Sequence, residues 1–216
     1  MRVRSFLSLK FLLFVTTSAS VLAQSRPIDP ANSRIVVHVS KAGLFSALGD
    51  NHEVEAPISE GSVDDKNGTV AFTIETARMR VVDPQLEPDK RQQVQERMLG
   101  PDVLDVAHFP KISFESTRTT PSANAQLTVT GRLFIRGVTR PITLRVRSET
   151  GRYLGTCTIK QRDFGITPVT VAGGTVKVKD ELKIDFDVHT REVTANNFSL
   201  SQTLRPLSVL LLHFQE

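Results

Sequence analysis

The stretch GRLFIRGVTRPITLRVR, Gly131 to Arg147, alternates apolar and charged residues into a turn and out again. Leu133, Ile135, Ile142, Leu144 and Val146 fall on one side of such a hairpin and a row of arginines on the other. Successive side chains on a strand point to opposite faces, so the pattern specifies a sheet with one dry face. That face must be covered by other protein or by an apolar guest.

Most of the chain repeats this period of two, in short runs bounded by Gly, Pro, Asn or Asp, as strands joined by turns require. RIVVHV aligns Ile35, Val37 and Val39, and TVAFTIET aligns Val70, Phe72 and Ile74. Between Val63 and Val70, Asn67-Gly68 can supply the positive φ values of a tight hairpin turn. KISFES presents Ile112 and Phe114, and AQLTVTGRLFIRG presents Leu127, Val129, Leu133 and Ile135. ELKIDFDVH sets Leu182, Ile184, Phe186 and Val188 against Lys183, Asp185, Asp187 and His189. With VEAPISEGSV, GTCTIK and GTVKVK, about eight or nine strands are expected, enough for an antiparallel barrel or sandwich. The exception is EPDKRQQVQERMLG, where Val94 and Met98 lie four apart. It predicts one short helix, capped by Asp89, ended at Gly100 and laid across one end of the sheet by its narrow apolar stripe.

The first 23 residues carry Arg2, Arg4 and Lys10 but no acid, then an apolar run, then the small Ala23. They read as an export signal cleaved near Ala23, because the run gives way to Thr and Ser well short of the about 20 apolar residues that span a bilayer. The whole chain has 27 basic and 23 acidic residues; residues 24–216 keep 24 and 23, a net +1. That balance argues against a nucleic-acid partner and against more than peripheral contact with anionic lipid. The 193 remaining residues suit one domain, over 24–190, with an apolar tail over 191–216. Cys157 is the only cysteine, so an exported protein here holds together without an internal disulfide, and the thiol reads as a small packed hydrophobe.

No catalytic constellation emerges, and the chain reads as a non-enzyme. There is no G-x-S-x-G, and HEVEA at His52 fails as H-E-x-x-H because position 56 is Ala. AGGT, Ala172 to Thr175, reads as a turn rather than a phosphate loop, and His108, just before Phe109-Pro110, as a loop-fixing residue. His52, beside Asp50 and Glu53, is the best candidate for a metal ligand, yet neighbours on a strand face opposite ways, and no metal site is assigned. His38 and His189 lie on the polar faces of the first and last strands, and a cluster of two or three histidines is conceivable if those strands adjoin. Arg132, Arg136, Arg145 and Arg147 fit a solubilising outer row that discourages edge pairing, with contact to membrane headgroups as the alternative. The tail, SQTLRPLSVLLLHFQE, is interrupted by Pro206 and too short to span a membrane; it suits packing on the barrel, covering its mouth or lying in an interface.

Three segments carry a family resemblance. QERMLGPDVLDVAHFPKISFEST resembles the helix of YceI-like proteins and the D-x-L-[DN]-x-x-x-[FY]-P-x-[AI]-x-F-x-S run that follows it. LTVTGRLFIRGVTRPITLRV resembles their glycine-centred G-[VI]-T-[KR]-P hairpin, and IKQRDFGI a later charged strand, with Lys160, Arg162 and Asp163 at the charged positions. The resemblance covers roughly 27 to 190; KAGLFSALGDNHEVEAP looks like a shorter variant of its segment, and residues 191–216 match nothing in the family. It implies an all-β, lipocalin-like antiparallel barrel of about eight strands with one short helix, exported to the periplasm or beyond. It also implies that the barrel is a binder that holds a long isoprenoid.

The composition is compatible with such a guest. The chain has 12 Phe, one Tyr and no Trp, so it offers apolar rings with few polar handles. The residues expected to line the cavity are Ile35, Val37, Phe72, Ile74, Ile112, Phe114, Leu133, Ile135, Leu144, Ile184 and Phe186. The expected partner is an isoprenoid, quinone-like or other long apolar lipid, with no other cofactor. Two alternatives stand beside it: a structural or interaction barrel filled by its own side chains, and a metal-binding variant using His52. Edge-to-edge pairing into a homodimer is the self-association that a chain so rich in strands invites.

Overall fold

A computed structural model describes residues 25–42, 51–122, 126–171 and 176–192. The expected export signal, the AGGT turn and all but the first two residues of the apolar tail lie outside these. In chain order the elements are β1 (Arg26–Pro27), β2 (Arg34–Val39), β3 (Lys41–Ala42), β4 (His52–Glu55), β5 (Ile58–Asp64), β6 (Thr69–Glu75) and β7 (Arg80–Val81). The helix α1 (Pro88–Leu99) follows, then β8 (Lys111–Pro121), β9 (Gln126–Ile135), β10 (Val138–Glu149) and β11 (Arg152–Lys160). The last three are β12 (Thr170–Val171), β13 (Val176–Val178) and β14 (Glu181–His189).

Eleven strands form one curled antiparallel sheet, ordered β1-β5-β6-β8-β9-β10-β11-β14-β2-β4-β7. Eight of them are six residues or longer, which are the strands that periodicity makes visible. The other three, and the small sheet β12-β13-β3, are two to four residues long. Among the described residues the fold is the expected lipocalin-like barrel with one α-helix, and the strand count is modestly higher.

The chain itself brings the two ends of the sheet order together. β4 lies next to one end and β5 next to the other, joined only by Ala56 and Pro57. VEAPISEGSV is therefore two strands, broken where Pro57 lacks an amide donor for the ladder. Ala56 N still donates to Ile35 O at 2.9 Å, so the bend falls after the β2–β4 ladder. The segment from β1 spans the same seam: Ile28 N donates to Gly61 O at 2.9 Å, and Asp29 N to His189 O at 2.7 Å.

The opening hairpin folds as its alternation dictates. β9 and β10 pair from Val138↔Ile135 to Arg147↔Gln126. Arg136 and Gly137, with φ of 48° and 76°, form the two-residue connection that suits strand twist. The β5–β6 turn departs from expectation. Only Gly68 takes a positive φ, of 64°, while Asn67 donates through its N and Nδ2 to the Asp64 carboxylate at 3.0 and 2.7 Å. An Asx interaction and four turn residues replace the two-residue form.

Helix α1 starts two residues earlier than a cap at Asp89 would allow. Glu87 occupies the cap position without a side-chain bond, Pro88 opens the first turn, and Asp89 lies within that turn beside the positive end of the helix dipole. Gly100 ends it, as expected. The charged part of IKQRDFGI is not strand: β11 stops at Lys160, Gln161–Phe164 form a single 3-10 turn, and Gly165 follows at φ 72°. Buried Gln161 and Phe164 face inward there, while Arg162 and Asp163 remain exposed.

Candidate functional site

The inner faces of the long strands surround a cavity of about 930 Å3. All eleven residues expected from the alternation line it. Ile35 and Val37 come from β2, Phe72 and Ile74 from β6, and Ile112 and Phe114 from β8. Leu133 and Ile135 come from β9, Leu144 from β10, and Ile184 and Phe186 from β14. From Leu127 to Ile135 the lining follows β9 for eight residue steps, which at strand rise and barrel tilt is about 20 Å of depth.

The lining residues differ in burial in an informative way. Ile74, Ile112, Phe114, Leu133 and Ile135 are buried among their neighbours. Val37, Phe72, Leu144, Ile184 and Phe186 point inward yet are only half-buried, because part of each faces open volume. The barrel is hollow rather than filled by its own side chains.

Glycines on the inner face keep it so. Phe114 lies over Gly131 and Phe186 over Gly155: a Cβ on Gly155 would stand 2.5 Å from Phe186 Cζ, and one on Gly131 would collide with the Phe114 ring. Each ring therefore lies flat along the wall over the neighbouring strand, an aromatic covering a glycine, instead of projecting to the centre. Phe72 stacks on Phe114 with centroids 5.5 Å apart. Periodicity identified these phenylalanines as inward-facing; the glycines that let them recline lay in the same sequence unread.

One end of the cavity gathers the three family-like segments. Arg136 Nη1 donates to Gly165 O at 2.8 Å and its Nη2 to Pro101 O at 2.7 Å; Arg140 Nε donates to Asp163 O at 2.8 Å. Phe109 packs against Gly137, where a Cβ would stand 2.9 Å from the ring. Arg136 thus leaves the expected outer row to tie loops together, while Arg132, Arg145 and Arg147 remain exposed on it. His108 fixes the loop through Asp105, its Nδ1 lying 2.8 Å from Oδ1.

Helix α1 lies at this end, with Val94 and Met98 in the lining. Its anchor is Gln95, which escaped the reading by periodicity because it is polar. Gln95 Nε2 donates to Met79 O and Gln95 Oε1 accepts from Val81 N, both at 2.8 Å, so the side-chain amide pairs with the edge of β7 as a strand would. Lys41, His52, Lys90 and Arg97 also line this end.

His52 is held by a partner remote in sequence. Its Nδ1 lies 2.5 Å from Oδ2 of buried Asp83, whose Oδ1 accepts from Glu53 N at 2.6 Å. The Glu53 side chain faces away, 3.4 Å from His38 Nδ1. Asp50 lies outside the described residues, and among those described no group of three His, Cys, Asp or Glu could hold a metal. β2 and β14 do adjoin, but the register opposes His38 to Lys183 and leaves His189 beyond the Asp187↔Arg34 pair. The two histidines are therefore separated and form no cluster. His38 Nε2 meets Asp185 at 2.9 Å and His189 Nε2 meets Asp187 at 3.1 Å.

At the opposite end the β5–β6 turn reaches the lining. There the Tyr153 hydroxyl donates to Asp65, and Arg26 Nη2 donates to both Asp65 and, at 2.7 Å, the Tyr153 oxygen. Burial, reinforced by the hydrogen bond to Asp65, pushes the Tyr153 hydroxyl up to about 12. Cys157 lines the cavity, and burial, with a smaller contribution from the Asp185 charge, pushes its thiol up to about 11. An apolar chamber with polar ends and a buried thiol can hold a molecule; among the described residues no nucleophile lies beside a base.

Known proteins share this architecture. Residues 27–190 match the YceI-like domain family. A UPF0312 protein of Shewanella sp. (strain W3-18-1) is 25% identical over 164 residues, covering 71% of this chain and 82% of that protein. A UPF0312 protein of Vibrio parahaemolyticus is 31% identical over 94 residues, 39% of this chain and 48% of that one. The crystal structure of Burkholderia cenocepacia BcnA superposes with a TM-score of 0.58 at 20% identity, over 74% of this chain and 98% of BcnA, which is a likeness of fold. By the extent of the match, over most of the barrel, the chain belongs to the YceI-like family.

Proposed function

We propose that the protein is a carrier or scavenger, acting in the periplasm or beyond after cleavage of its export signal near Ala23. Its barrel sequesters an isoprenoid, quinone-like or other long apolar lipid. The observation that carries this reading is the cavity of about 930 Å3 with aliphatic and phenylalanine walls. That volume is near the upper end of the range of about 300–1,000 Å3 typical of small-molecule sites. Each methylene moved from water onto such walls contributes about 0.8 kcal/mol, so a long tail supplies most of the affinity without a directional contact. A wholly structural barrel has no need of this volume, since empty apolar space costs stability.

A blocked cavity tests the reading. Leu144→Trp places a large ring in open volume rather than against packed neighbours, so the protein should stay folded. A delipidated wild-type protein should take up a long polyprenol, with a rise in melting temperature, and L144W should lose most of that uptake. Equal uptake by a folded L144W, or none by the wild type, would overturn the proposal.

A further inference from the structure

The ends of the cavity differ in charge, one cationic and the other mixed. At the α1 end the charged lining residues are Lys41, Lys90 and Arg97; at the β5–β6 turn they are Asp64, Asp65 and Lys66. On the helix, Lys90 and Arg97, seven residues apart, share the lining stripe of Val94 and Met98, while Asp89, Arg91 and Glu96 are outside it. Among the described residues, none of the three cations at the α1 end has a carboxylate within ion-pair distance. The buried carboxylate nearby, Asp83, is engaged by His52 and the Glu53 amide. Lys90 and Arg97 are exposed and Lys41 half-buried, so their heads reach water at the lip while their stems border the apolar wall. At the other end Asp65 is tied to Arg26 and Tyr153, and Asp64 to Asn67.

We propose that the α1 end is a head-group site, in which Lys41, Lys90 and Arg97 hold the anionic head, phosphate or carboxylate, of an amphiphile whose tail fills the barrel. This rests on the carrier reading above and adds the orientation and class of its ligand. A cationic lip favours a head of opposite charge most strongly where the apolar wall behind it lowers the local dielectric. The tail then points toward the Tyr153–Asp65 end.

The test uses probes matched in tail and different in head: hexadecanoate, hexadecanol and hexadecylamine, and geranylgeranyl monophosphate with geranylgeraniol. Wild-type protein should bind each anion about tenfold or more tighter than its alcohol and the amine weakest, the gap shrinking as salt is raised. In the variant Lys41→Gln/Lys90→Gln/Arg97→Gln the gap should close to about threefold or less, with the alcohols bound as before; their unchanged binding reports an intact barrel. A preference for only one of the two anions would identify the source of the head, carboxylate or phosphate, and support the site. Alcohols binding as tightly as anions would overturn the head-group site and leave the carrier reading standing. A preference that survives in the variant would overturn the assignment to these residues. Failure of every probe to bind would overturn both readings.

Discussion

At the scale of single residues, the barrel stays hollow because small and large side chains oppose each other across its wall. Gly155→Ala places a methyl group where the Phe186 ring and Arg145 O already stand. It should cost about 1–3 kcal/mol in denaturant unfolding, as overpacking does, and push the ring toward the open volume. An unchanged midpoint would mean that the ring does not rest on the glycine. Cys157 reports the same environment. With its thiol pushed up to about 11 by burial, only about 0.1% is thiolate at pH 8, so alkylation should be on the order of a hundredfold slower than for a free cysteine. Because the folded value lies above the ordinary thiol value of about 8.5, the folded state keeps its proton longer than the unfolded chain. That contribution is fully present below about pH 8 and is lost as pH rises through about 11, a decline in stability that Cys157→Ser should remove.

At the scale of elements, α1 is tethered rather than packed in: none of its residues is fully buried, and Gln95 supplies its two bonds to the strand edge. Gln95→Ala removes both and should raise amide exchange and proteolysis across 88–99 while leaving the melting temperature of the barrel within a few degrees. Global unfolding at much lower temperature would show instead that the helix is integral to the core. This division also marks what the sequence made legible. Ile35, Phe72, Leu133 and Ile184 could be placed on the inner face because long strands display a period of two over many residues. β3, β7 and β12, two residues each, are too short to display any period. Gln95, Asp83 and Arg136 owe their roles to partners brought together only by the fold, as Arg136 is by Gly165 and Pro101. The cap at Asp89 and the strand at Gln161–Phe164 were misplaced for a local reason, since Pro88 opens the helix earlier and Gly165 turns the chain at positive φ.

At the scale of the whole molecule, the curled sheet closes where β4 runs into β5 and the β1 segment bridges β5 to β14, enclosing volume that its own side chains leave open. The bidentate Arg152–Asp187 pair, at 2.8 and 2.6 Å, sits on the outer surface across β11 and β14, and the Arg152 bonds hold the Asp187 carboxyl below its usual range. A lowered carboxylate contributes stability above its unfolded value that is lost as pH falls through the lowered one, so acid should loosen the β11–β14 wall. On the proposed carrier reading, the open volume belongs to a long apolar lipid. Native mass spectrometry of the protein purified from its own cells, followed by denaturing extraction, is the measurement to make. One long-chain lipid per barrel should accompany the protein and be released on denaturation. A barrel that carries no added mass and gains no thermal stability from added polyprenols or long-chain lipids would contradict that reading.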